Sequence, residues 1–86
     1  MKRIVLGVLL TNRLKEAPAF QELITQYGCS IKTRIGLHNV SDTQCSTAGL
    51  ILLEMFGDEG PILELEDKLR HMEGLKVQKM VFEENG

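Results

Sequence analysis

The sequence predicts an α+β domain: one four-stranded antiparallel sheet with two helices packed on one of its faces. Three observations carry that expectation. The apolar spacing alternates between a period of two and a period of roughly 3.6 in the order strand, helix, strand, strand, helix, strand. Two of the strands, Arg3 to Thr11 and Gly49 to Phe56, are apolar on both alternating faces and belong at the centre of a sheet, whereas the other two alternate with polar residues and belong at its edges. Two helices suffice for one face of a small sheet, so the other face waits for a second copy or a partner. With right-handed crossovers, this order and polarity give the ferredoxin-like βαββαβ arrangement, strand order 4-1-3-2, as a single domain over residues 1–86.

In the first strand Ile4, Leu6, Val8 and Leu10 share one face, and Val5, Gly7 and Leu9 the other. Thr11-Asn12-Arg13 turns the chain. Phe20, Leu23, Ile24 and Tyr27 then fall on one helical face, extended backwards by Ala17 and Leu14. Pro18 lacks a donor and crowds the preceding turn, which sets the expected start of regular helix near Lys15 or Glu16 and leaves Asn12 to Leu14 as loop. Gly28 supplies the stop.

The second strand, from about Cys29 to His38, alternates Ile31, Thr33, Ile35 and Leu37 with Lys32, Arg34, Gly36 and His38, as a half-covered edge strand does. A polar loop over Asn39 to Thr47 follows, longer than the roughly two to five residues of an ordinary hairpin connection. After the third strand, Asp58 is placed to cap a helix in whose first turn Pro61 does no harm. Ile62, Leu65, Leu69 and Met72 mark its apolar stripe, while Glu64 with Lys68 and Glu66 with Arg70 stand four residues apart in the favourable order. Gly74 ends it. In the last strand, Leu75 to Phe82, Leu75, Val77 and Val81 share a face.

Composition narrows the function classes. At 86 residues the chain has little core to spare, and association would add buried area. Ten Lys and Arg against twelve Asp and Glu give a net charge of −2 without a basic stripe, which argues against direct nucleic-acid binding. RNA-recognition domains of this topology stack bases on aromatics of the first and third strands, where this chain offers only Phe56. The two cysteines, Cys29 and Cys45, have neither the number nor the spacing of a disulfide framework, so free thiols in a reducing cytoplasm are expected. The short N-terminal apolar run is broken by Gly7 and followed by Asn12, Arg13, Lys15 and Glu16, unlike a secretory signal. No segment approaches the roughly 20 apolar residues that span a bilayer. A phosphate loop with a neighbouring arginine, as acylphosphatases carry, does not follow the first strand, and no acid/base or nucleophile arrangement stands out, so no enzyme activity is expected.

The uncovered face is the candidate interface, with Val5, Leu9, Leu50, Leu52 and Phe56 at its centre and Arg34 at its charged rim if Ile31, Ile35 and Leu37 point to the helices. Glu54, the acid inside the third strand, would then pair with Lys32 or Arg34. His38 and Cys45 flank the long loop, with Asp42 and Cys29 as further candidate ligands. Imidazole and thiolate together suit nickel, copper or zinc, and two ligands per chain would make a four-ligand site across a symmetric interface. Ordinary surface roles for the same side chains are the commoner outcome.

Arg34-Ile35-Gly36-Leu37, Gly49-Leu50-Ile51-Leu52-Leu53, the Gly57-Asp58 turn and Glu73-Gly74-Leu75-Lys76-Val77-Gln78-Lys79-Met80, set in the βαββαβ order, resemble the iron-only hydrogenase system regulators. That family belongs to the ACT-like domains and is similar to the C-terminal domain of nickel-responsive regulators. The resemblance implies a bacterial, homo-oligomeric regulatory domain that binds a small effector; we expect a homodimer or homotetramer that signals to a regulatory partner protein and needs no cofactor, with a transition metal as the alternative. It also implies effector binding at the loop between the first strand and first helix, here Thr11-Asn12-Arg13-Leu14. Asn12 and Arg13 offer donors near a helix N-terminus, which suits a carboxylate. A solvated turn is the plainer role for the same residues. Lys15-Glu16-Ala17-Pro18 stands where amino-acid-binding ACT domains carry a glycine.

Overall fold

Ile4, Leu6, Val8 and Leu10 are all but removed from solvent, while Val5, Gly7 and Leu9 between them are only half-buried. That alternation gives the fold its two unequal faces. The structure, a computed structural model, describes residues 2–37 and 48–84. In order they form β1 (Lys2–Leu10), α1 (Arg13–Gln26), a 3-10 turn (Gly28–Ser30), β2 (Ile31–Leu37), β3 (Gly49–Met55), α2 (Glu59–Arg70) and β4 (Leu75–Glu83). All pairings are antiparallel, and the strand order is β2-β3-β1-β4, the expected 4-1-3-2 read from the other edge.

The buried side of β1 forms one cluster with Phe20 and Ile24 of α1, Ile62, Leu65 and Leu69 of α2, Leu53 and Met55 of β3, and Val77 of β4. Both helices therefore cover the same face, as the hydrophobic pattern requires. This is the ferredoxin-like type of fold.

The first helix departs from expectation at its start. Regular helix begins at Arg13, not near Lys15 or Glu16, and takes Pro18 into its interior. Capping compensates for the proline: the Asn12 side chain accepts from the Lys15 N–H at 3.4 Å, and Glu16 Oε1 accepts from the Asn12 N–H at 2.9 Å. This reciprocal arrangement turns Glu16 inward, with Phe20 and Ile24 above it. At about 100° per residue Leu14 then points the opposite way, and it is 82% exposed rather than part of the apolar stripe.

The second helix follows its expected stripe. Asp58 occupies the N-cap position in extended backbone, though its side chain makes no cap bond. Across the helices Tyr27 Oη donates to Glu64 Oε1 at 2.8 Å, and Lys68 lies over the Tyr27 ring. Those contacts hold the Glu64 carboxyl below its ordinary range and the Lys68 ammonium above its own. Among the described residues positive φ occurs at Gly57 and Gly74, the turns into and out of α2.

Candidate functional site

Strand register orders the uncovered face into rows. Leu50 stands opposite Leu9, which stands opposite Lys76; the next row runs Ile35, Leu52, Gly7, Gln78; the third runs Thr33, Glu54, Val5, Met80. Val5, Leu9, Leu50 and Leu52 thus meet on one face as the sequence indicated, and neither α1 nor α2 covers them. Ile35, Met80 and Phe82 extend the apolar surface towards the two edges and are about half exposed. Gly7 makes a hollow at the centre, where an added Cβ would come no closer than 3.6 Å to Leu52. Phe56 follows the last residue of β3, is 61% exposed, and ties its N–H to the Ser30 carbonyl.

Arg34 is not on this face. The register between β2 and β3 shifts between Ile31 and Thr33, and that bulge reverses the parity of the strand beyond it. Ile35 comes to the uncovered face opposite Leu52, while Arg34, opposite the buried Leu53, goes to the face that carries the helices. Glu54 consequently takes its partner from Thr33, whose hydroxyl donates to Glu54 Oε1 at 2.9 Å, and not from Lys32 or Arg34.

The loop expected to hold an effector carries an anion of its own. Glu16, 9% exposed, accepts from the Asn12 N–H, and its other oxygen lies 3.3 Å from Thr11 Oγ1. The Thr11 hydroxyl sits closer, at 2.8 Å, to the Gly74 carbonyl, which also accepts from the Thr11 N–H. A carboxylate at a helix N-terminus is where the exposed N–H groups and the helix dipole favour negative charge. A free anion at Asn12 would have to displace one that is tethered there. Leu14 points into solvent, away from Glu16.

Arg13 faces elsewhere. With Ala17 and Gln21 it forms a stripe at four-residue spacing along the flank of α1, and this stripe and the helix-side edge of β2 bound a groove of about 240 Å³. Arg34 and Gly36 line it from β2, Gly49 and Ile51 from β3. Sequence periodicity placed Ala17 on the apolar stripe and missed this flank, whose signal is the i, i+4, i+8 spacing of Arg13, Ala17 and Gln21; the arrival of Arg34 was hidden by the bulge.

A second charged cluster braces the far edge. Glu66, nearly buried on α2, receives Lys79 Nζ at 2.9 Å and Arg70 Nε at 2.9 Å, and Arg70 also donates to the Val77 carbonyl. Burial pushes the Glu66 carboxyl up, but the two cations outweigh it and hold the group below its ordinary value.

His38 and Cys45, the metal candidates, lie outside the described residues, as does Asp42. Cys29 is an exposed free thiol. His71 bonds to its own helix, its Nδ1 lying 2.7 Å from the Asp67 carbonyl. Among the described residues no group of three or more His, Cys, Asp or Glu is arranged to hold a metal ion, and no helix is long and apolar enough to cross a membrane.

No family model matches the chain, and neither does any curated protein. Among solved structures, an uncharacterized protein from Thermotoga maritima has the same fold, with a TM-score of 0.79 and 23% identity over 96% of this chain and 100% of that one.

Proposed function

We propose that this chain is a non-enzymatic regulatory module that pairs with a second copy of itself through the uncovered face of its sheet and passes a binding signal to a partner protein in a bacterial cytoplasm. The observation that carries the pairing is the apolar face itself. Val5, Leu9, Leu50 and Leu52 surround the Gly7 hollow on a side that neither helix reaches. Glycine in a central strand weakens the strand unless another surface approaches closely, and the hollow gives a second copy that approach. Glu54 accepts from the Thr33 hydroxyl, which offsets part of the cost of covering its carboxylate. The regulated process we assign is an iron-only hydrogenase system, and what supports that part is the resemblance of the second-strand, third-strand and Glu73 to Met80 motifs.

Sedimentation equilibrium of the wild type and of Leu52→Asp tests the pairing. The wild type is expected to sediment as a dimer or tetramer and Leu52→Asp as a monomer with unchanged circular dichroism. A wild type that stays monomeric as its concentration rises would remove the reading.

A further inference from the structure

We propose that the groove between α1 and β2 binds a small organic carboxylate that has an apolar body and no ammonium group. This goes beyond the pairing of the sheets, because the groove lies on the helix-bearing face. Arg13 reaches it from the first turn of α1, its stem resting against Gly49, where an added Cβ would lie 3.7 Å from Arg13 Cδ. Arg34 reaches it from β2, two residues before Gly36, where an added Cβ would meet nothing within 4 Å. Among the described residues neither guanidinium has an ion-pair partner. Two cations lining one small groove repel each other, and an oxyanion between them turns that repulsion into attraction. Guanidinium groups match a carboxylate with paired, charge-assisted hydrogen bonds.

The rest of the lining selects among oxyanions. Leu10, Ala17 and Ile51 give an apolar floor, from which inorganic phosphate gains nothing and a hydrocarbon body gains burial. The charged side chains among the described lining residues, Arg13 and Arg34, are both cationic and repel the ammonium group of an amino acid. The volume of about 240 Å³ lies below the roughly 300–1,000 Å³ of pockets for drug-sized ligands, which fits a small metabolite.

Titration calorimetry on the full chain with acetate, isovalerate, α-ketoisocaproate, L-leucine and inorganic phosphate tests the assignment. Affinity is expected to rise from acetate to the two branched acids, with L-leucine and phosphate at least about tenfold weaker than α-ketoisocaproate. Arg34→Gln and Arg13→Gln are each expected to weaken the branched acids by about tenfold to a hundredfold. Gly36→Val is expected to abolish binding without lowering the thermal midpoint, since its side chain fills open space on a strand. Absence of binding by either branched acid, binding of L-leucine or phosphate as tight as α-ketoisocaproate, or full affinity in Arg34→Gln would each overturn the proposal.

Discussion

Gly74 and Glu16 offer a close test of how the chain's own carboxylate holds the first helix. Gly74 has φ +86°, and a Cβ there would fall on Glu16 Oε2. Gly74→Ala therefore carries two costs. Holding a side chain in left-handed backbone costs about 1–2 kcal/mol. Driving Glu16 from its seat forfeits the charge-assisted bond from the Asn12 N–H, about 1.5–3 kcal/mol. Together the loss should be about 3–5 kcal/mol, a large part of the 5–15 kcal/mol by which small domains are stable. Urea unfolding at fixed protein concentration, in a Leu52→Asp background so that association does not contribute, reads it directly. In a Glu16→Ala background the cost of Gly74→Ala should fall to the backbone part alone, about 1–2 kcal/mol. A single-mutant loss below about 1 kcal/mol, or an equal loss in both backgrounds, would refute the contact and the capping role built on it.

Three further perturbations follow from the same packing. Glu66→Gln should lower stability at neutral pH by about 1–2 kcal/mol, discounted for the partial exposure of Arg70. The folded state depresses this carboxyl, so its contribution is present above the unfolded value of 4.5 and disappears as pH falls through the lower folded value; urea midpoints of the two proteins should converge in acid and not in base. Phe20→Ala, which empties the most voluminous fully buried side chain, should cost about 3–5 kcal/mol and be visible as a large fall in thermal midpoint. Pro18→Ala restores a donor inside α1 and should raise the urea midpoint by an amount equal to about 2 kcal/mol, the helix gain less the entropy that proline removes from the unfolded chain.

Much of the fold is legible in the sequence, because its determinants are local. Continuous apolar runs in two strands and alternation in the other two fixed centre and edge, and the spacing of Ile62, Leu65 and Leu69 fixed the buried side of α2. What escaped depends on a few backbone and side-chain choices that no periodicity reports. A bulge at Ile31 to Thr33 exchanged Ile35 and Arg34 between the faces, so the uncovered face gained an isoleucine, the groove gained a cation, and Arg34 left the expected interface. Glu16, read from the sequence only as a possible start of the helix, is the group that ties Asn12, and with it the start of α1, close to the Gly74 turn. The relevant sign was Asn12 four residues before Glu16, a capping pattern one residue longer than the usual box.

The pairing of two sheets is tested most directly by isotope-filtered nuclear Overhauser spectroscopy on a mixture of labelled and unlabelled protein. Intermolecular signals are expected from the methyl groups of Val5, Leu9, Leu50 and Leu52, while those of Leu6 and Leu53, sealed beneath the helices, stay silent. Silence from all six at millimolar concentration, or contacts that start only from the helix side, would contradict the account.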